Sequence, residues 1–265
     1  MIPPLFARSL RSVAAALAAI VAVLAFYVGT VVYLYDPEAS ESLLLMQEAM
    51  PELFAAFGMA NASSSLCDFL LNYLYGFMFT GGLVLLAAYM AQRLVAGPAK
   101  DGSLAWLLAS PHGRSGLALT LATAQVAAVL GMVALLWASE AAFCAALFPG
   151  DLDQMALARA NLGLAALGLF AASLCFASAC AFQKPGLGLW VGAGACALFL
   201  IMGLASAAGE GLGWLASLSP FSLYDAYGLA AGEGDALAGS IALLTASAVL
   251  FAAAVAAFCR RDFSL

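Results

Sequence analysis

Six stretches of this chain, at 13–34, 69–91, 116–139, 160–182, 187–208 and 237–259, each run for more than twenty residues with almost no charge. About 20 apolar residues of helix cross the roughly 30 Å of hydrocarbon in a bilayer, so each stretch is a membrane-spanning candidate. Lipid offers no partner to a free backbone N–H or C=O, so a spanning segment must be helical or belong to a closed barrel. The period-2 alternation of a barrel strand is missing, and the sequence therefore predicts a single all-α, polytopic transmembrane domain over 1–265. Composition agrees: 65% of residues are apolar and 9% charged, against about a quarter charged in an ordinary soluble domain. Six crossings and their joins use most of the 265 residues and leave little for a soluble catalytic domain.

Arg8 and Arg11 precede the first stretch as in a secretory signal, but the apolar run continues to Leu34. An h-region is about 7–15 residues long, so a retained first span is expected. Residues 1–12 place Ile2, Leu5, Phe6 and Leu10 toward one face with the arginines elsewhere, the pattern of a helix lying on the inner leaflet.

Charge orients the bundle. With both termini in the cytoplasm, Arg8, Arg11, Arg93, Lys100, Arg114, Lys184, Arg260 and Arg261 fall inside, eight of nine bases, and only Arg159 outside. Short cytoplasmic joins are enriched in Lys and Arg, so both termini are expected to be cytoplasmic, in an inner or plasma membrane. The outside then holds 13 of the 15 acids. The acidic balance, 9 Lys and Arg against 15 Asp and Glu for a net charge of −6, argues against a nucleic-acid partner as far as overall charge goes, although the charges are segregated between the two sides.

Cys144, Cys175, Cys180 and Cys196 sit inside apolar runs, and no pair or cluster has metal-ligand spacing; they read as small core residues. Cys67 is placed in a loop and Cys259 at the last helix end, on opposite sides, so no bridge is assigned. The outer segment 36–68 carries six acids around an amphipathic piece, Leu43 to Phe57, broken at Pro51. The last outer segment, 209–235, mixes Gly with Trp214, Phe221, Tyr224 and Tyr227 around Pro220, as in broken, re-entrant helices at headgroup depth.

Several chemistries are excluded. A P-loop needs Lys directly after Gly, and Lys100 and Lys184 follow Ala99 and Gln183. With His112 the single histidine, multi-histidine metal sites are out of reach. Gly113-Arg114-Ser115-Gly116 matches the GxSG of intramembrane serine proteases, but the histidine base on another helix is missing. Glu140 is the one acid that could lie below the interface. Two readings stay open for it: a carboxylate reaching outer water, or a translocation role for substrate or proton. Asp68 is expected in the first turn of the second span. Gly81, Gly82, Gly188, Gly192 and Gly194 permit close helix packing, more simply within the bundle than across a dimer seam.

The join over 92–115 is the most polar on the inner side. Gly97-Pro98 is expected to end the second helix, Asp101-Gly102-Ser103 to supply a turn and cap, and Leu104, Trp106, Leu107 and Leu108 to form a short helix stopped at Ser110-Pro111. Eight residues rise only about 12 Å, too short to cross and too apolar to lie bare in water. Leu104, Leu107 and Leu108 share a face that fits a partner's groove or the leaflet.

The run from Lys100 to Arg114, with Asp101-Gly102-Ser103-Leu104, Leu107-Leu108, Pro111 and Arg114, resembles the acidic-Gly-Thr/Ser-Leu-x-x-Leu-Leu-x-x-Pro-x-x-Arg signature of the membrane subunits of type-2 ATP-binding-cassette (ABC) exporters. Leu218-Ser219-Pro220-Phe221 and the ending Arg260-Arg261-Asp262-Phe263 are further matches. Lys100 stands where family members often carry an acid. The resemblance implies a permease that is not itself an enzyme and holds no cofactor, ATP and Mg being bound by a separate ATPase. It also implies two copies of that ATPase on two permease copies, as a homodimer or with a close paralogue. Residues Asp101, Gly102, Ser103, Leu104, Trp106, Leu107, Leu108, Pro111 and Arg114 would then form the coupling helix that contacts the ATPase. The nearly uncharged spans suit an amphiphilic or hydrophobic substrate, such as a lipid, drug or peptide. A second reading is a non-transporting membrane assembly or immunity protein with the same fold.

Overall fold

A computed structural model of the chain describes residues 2–35, 49–50, 65–104, 113–182, 184–208 and 211–261. Among these, the secondary structure is helical throughout, without a strand, and six helices are long and apolar enough to cross a membrane. They are α1 (Pro3–Leu34), α2 (Leu66–Lys100), α3 (Arg114–Leu147), α4 (Gln154–Ala181), α5 (Pro185–Ala208) and α8 (Gly234–Arg260). Between α5 and α8 lie the short helices α6 (Trp214–Leu218) and α7 (Ala226–Ala231), separated by a 3₁₀ turn at Pro220–Leu223. The protein is a transmembrane, all-helical chain with six candidate spans.

Each helix outruns its apolar stretch because backbone bonding does not stop where hydrocarbon does. Pro3 and Pro4 open α1, where a missing N–H costs nothing. The helix then continues unbroken for 32 residues, about 48 Å, so residues 3–12 extend the first span instead of forming the separate surface helix expected over 1–12. Ser65 caps α2: its Oγ accepts from Asp68 N at 3.1 Å and donates to Asp68 Oδ2 at 2.9 Å. Asp68 thus sits in the first turn, as anticipated, with its carboxylate at the positive end of the helix dipole. Cys67 belongs to this first turn and is buried, not in a loop. Asp153 caps α4 by accepting from Met155 N and Ala156 N at 2.9 and 3.1 Å.

The second helix does not end at Gly97-Pro98. It holds two π turns, Leu71–Tyr75 and Gln92–Ala96, and continues to Lys100. In the second of these the Gly97 N–H bonds to Gln92 O, an i to i+5 bond. Pro98 then falls in the first turn of a new α segment, where it needs no donor. The chain leaves the helix at Asp101-Gly102, with Gly102 at φ +73°, a left-handed conformation that glycine adopts freely. Ser103 and Leu104 begin a new helical turn.

α4 is the centre of the bundle. It packs against α2, α3, α5, α7 and α8, and 78% of its apolar stretch is buried, against 17% for the peripheral α5. Apolar side chains gain nothing by leaving lipid for protein, so close shape fit holds such helices together. α4 supplies it with small residues: a methyl group on Gly168 would lie 2.9 Å from both Leu83 and Val129. Gly188 and Gly192 of α5 do the same, a methyl on Gly188 lying 2.6 Å from the Ser178 carbonyl of α4. The GxxxG spacing therefore serves packing inside the chain. α1 lies on α2 and α3.

The two ends of the bundle are told apart by their contacts. At the basic end, Ile2 N donates to Thr120 Oγ1 at 3.0 Å, Arg114 Nη1 to the Arg261 carbonyl at 3.0 Å, and Arg261 Nη1 to the Ala179 carbonyl at 3.0 Å. At the acidic end Tyr35 sets its ring edge-on to Phe69 and Phe148, and Tyr227 Oη donates to the Asp68 carbonyl at 3.2 Å.

Candidate functional site

A buried polar cluster joins three helices below the acidic end. Glu140 stands seven residues before the end of α3, Asn161 seven residues into α4, and Tyr75 nine residues into α2. At 1.5 Å per residue all three lie about 10–14 Å along their helices from that end. The π turn at Leu71–Tyr75 carries Tyr75 into this position. Tyr75 Oη donates to Glu140 Oε2 at 3.0 Å, and Asn161 Nδ2 donates to Glu140 Oε2 at 3.1 Å, to Tyr75 Oη at 2.5 Å and to the Leu157 carbonyl at 3.1 Å.

Glu140 is 0% exposed and its two partners are 2% exposed or less. The carboxylate does not reach outer water; it turns inward because α2 and α4 present a hydroxyl and an amide there. No ion pair to it forms among the described residues; a carboxyl group buried without a cation is costly at this depth. Glu140 Oε1 and Asn161 Oδ1 are buried acceptors with no donor. Two facing helices thus hold acceptor capacity that a proton-bearing or N–H-bearing group would satisfy.

Tyr75 also lines a cavity of about 370 Å³ between α2, α4, α5 and the α6–α7 region. Leu167 and Leu200 form its apolar wall, and Phe221, Tyr224, Asp225 and Tyr227 its polar and aromatic one. The α6–α7 region, expected as broken helices, is ordered by its own caps. Asp225 Oδ1 accepts from Tyr227 N and Gly228 N at 3.0 Å each, Ser219 Oγ donates to the Phe199 carbonyl of α5 at 2.8 Å, and Gly232 at φ +82° ends α7. Tyr224 Oη donates to the Ala160 carbonyl at 3.4 Å. Burial holds the Tyr224 hydroxyl well above its usual titration range, with the neighbouring carboxylates of Glu140 and Asp225 adding to it.

The segment singled out by its signature lies at the other end. Asp101, Gly102 and Ser103 are exposed. Leu104 is 2% exposed and packs into the chain's own core, so it fastens the segment to the bundle and does not present itself to an outside partner. Trp106, Leu107, Leu108 and Pro111 lie outside the described residues, as do 36–48 and 51–64 of the acidic loop. Arg114 caps the end of α8 through the carbonyls of Arg261 at 3.0 Å and Cys259 at 3.5 Å. Arg261 in turn caps α4, and burial lowers the titration of its guanidinium from the ordinary arginine value. The structure therefore keeps Glu140 and the described residues Asp101, Leu104 and Arg114 toward opposite ends of the bundle.

Tyr75 and Asn161 were not singled out in the sequence. Asn161 could have been, as an amide within an otherwise apolar run; so could Gln125, 0% exposed on α3 with both amide atoms lacking a partner. Tyrosine in a span carries no such signal, because its ring is at home near the interface.

No protein-family model matches the chain, and no curated protein matches it.

Proposed function

We propose that this chain is the membrane-spanning permease subunit of an ABC exporter of the type-2 class, which couples hydrolysis of ATP by a separate ATPase subunit to the outward movement of an amphiphilic or hydrophobic substrate. The observation that carries the reading is the segment from Asp101 to Arg114, which resembles the coupling-helix signature and joins α2 to α3 at the basic end. The stop at Gly102 and the new turn at Ser103 support it, because a coupling helix must be an element separate from the span before it. Buried Leu104 then anchors that element, and Leu107 and Leu108 remain as the apolar contact offered to the ATPase. Two permease copies and two ATPase copies complete the assembly. The aromatic cavity by Tyr75 and Tyr224 supports an amphiphilic substrate, since its walls are apolar with a few polar groups.

The test is co-purification of the full chain with the ATPase of its own host membranes, followed by hydrolysis measured in the reconstituted complex. Leu107→Asp buries a charge in the contact and should abolish ATPase recovery and substrate-stimulated hydrolysis while leaving the amount of inserted protein unchanged. Full ATPase recovery with Leu107→Asp would overturn the reading. Hydrolysis that no amphiphile stimulates would favour the non-transporting assembly protein instead.

A further inference from the structure

A second cavity, of about 870 Å³, lies at the basic end between the start of α1, the end of α2 and the start of α3. Arg8, Arg93 and Lys100 line it, against a single acid, Asp101. Among the described residues none of the three bases makes a hydrogen bond or ion pair, whereas Arg114 and Arg261 at the same end are both spent on helix carbonyls. Three unspent cations around one concavity make a local field of one sign, stronger beside low-dielectric walls than in open water. Leu5, Leu94 and Leu121 also line it, so the cavity offers an apolar wall beside its charges.

We infer that this cavity binds the headgroup of an anionic phospholipid, its phosphate held among Arg8, Arg93 and Lys100 and its acyl chains running down the apolar wall beside α1. The charges call for an anion, and the apolar wall for an anion with a hydrocarbon tail. Basic pockets between spanning helices at the membrane surface suit such headgroups. α1, which carries Arg8 and forms one side of the cavity, is itself largely open to lipid: of its apolar stretch only 22% is buried, so a lipid enters sideways without crossing protein. This inference does not rest on the exporter reading.

The experiment is lipid retention by the purified full chain in nanodiscs of phosphatidylcholine doped with phosphatidylglycerol, read by native mass spectrometry after gentle delipidation. Phosphatidylglycerol should be retained in preference to phosphatidylcholine. Each of Arg8→Gln, Arg93→Gln and Lys100→Gln should weaken that retention by about fivefold, the effect of one basic residue at an anionic surface. Arg11→Gln, on the same helix but outside the cavity, should leave it unchanged. Asp101→Asn should strengthen retention, a change of opposite sign that a poorly folded variant would not produce. Equal retention of the two lipids, or an undiminished preference when all three bases are replaced, would overturn the proposal. So would displacement of phosphatidylglycerol by an equal concentration of glycerol 3-phosphate, which would assign the site to a soluble phosphate.

Discussion

Glu140, Tyr75 and Asn161 share their hydrogen bonds so closely that no one of them is satisfied alone. Tyr75 Oη both donates to Glu140 and accepts from Asn161, so Tyr75→Phe removes two bonds and keeps the ring. The cost should be about 1–3 kcal/mol, since the carboxylate and amide left behind are buried. Glu140→Gln preserves shape and an acceptor oxygen but weakens the bond that Tyr75 donates. Because both changes strike one bond, the double variant should lose less than the two singles together, by roughly 0.5 kcal/mol or more. Reversible unfolding in mixed detergent micelles measures all four species. Losses that simply add would mean that the three groups do not act as one cluster. That Glu140 turns inward was not legible beforehand: its partners lie 65 and 21 residues away, and spacing along α3 alone does not say which neighbour carries a hydroxyl. The opposite holds for Asp68, whose place in the first turn was legible and whose capping partner, Ser65, is only three residues away.

At the scale of elements, the spans were legible because hydrophobicity is a local property of each stretch, and all six recur as helices. Their ends were less so. The apolar run at 69–91 suggests a stop at Gly97-Pro98, but a π turn shifts the bonding register and carries the helix to Lys100, a device that composition does not reveal. Helix contacts were also hidden, since glycine spacing does not name the partner. Gly239 of α8 is the sharpest case: a methyl group there would overlap the Leu223 carbonyl, a backbone atom that cannot swing aside. Gly131 of α3 has open space around it. Gly239→Ala should therefore lower stability by about 1–3 kcal/mol, while Gly131→Ala should be neutral or raise it by up to about 1 kcal/mol through helix propensity. Thermal denaturation in detergent separates them. A Gly239→Ala protein as stable as Gly131→Ala would mean that the junction between the 3₁₀ turn and α8 is looser than its backbone contact implies.

At the scale of the molecule, the two ends differ in charge far more than any pair of elements does, and that difference orients the whole. Arg114 and Arg261, which cap helices, and Arg8, Arg93 and Lys100, which line the basic cavity, gather where α1 begins and α8 ends, while Asp68, Asp151, Asp153, Asp225, Glu233 and Asp235 gather at the other end. Translocating the first end would move eight bases across the bilayer, whereas the second carries only Arg159; the retention of Lys and Arg on the cytoplasmic side therefore predicts that the basic end stays in the cytoplasm. The chain supplies its own probe. Of its six cysteines only Cys259, at the end of α8, is not buried, and Asp151, exposed in the α3–α4 connection, accepts a cysteine at the opposite end without disturbing a cap. In intact cells a membrane-impermeant maleimide should label Asp151→Cys and leave the parent chain unlabelled. After the membrane is opened, Cys259 should react in both. Labelling of Cys259 in sealed cells, with Asp151→Cys protected, would invert the molecule, place the Asp101–Arg114 segment outside, and remove it from the reach of any cytoplasmic ATPase.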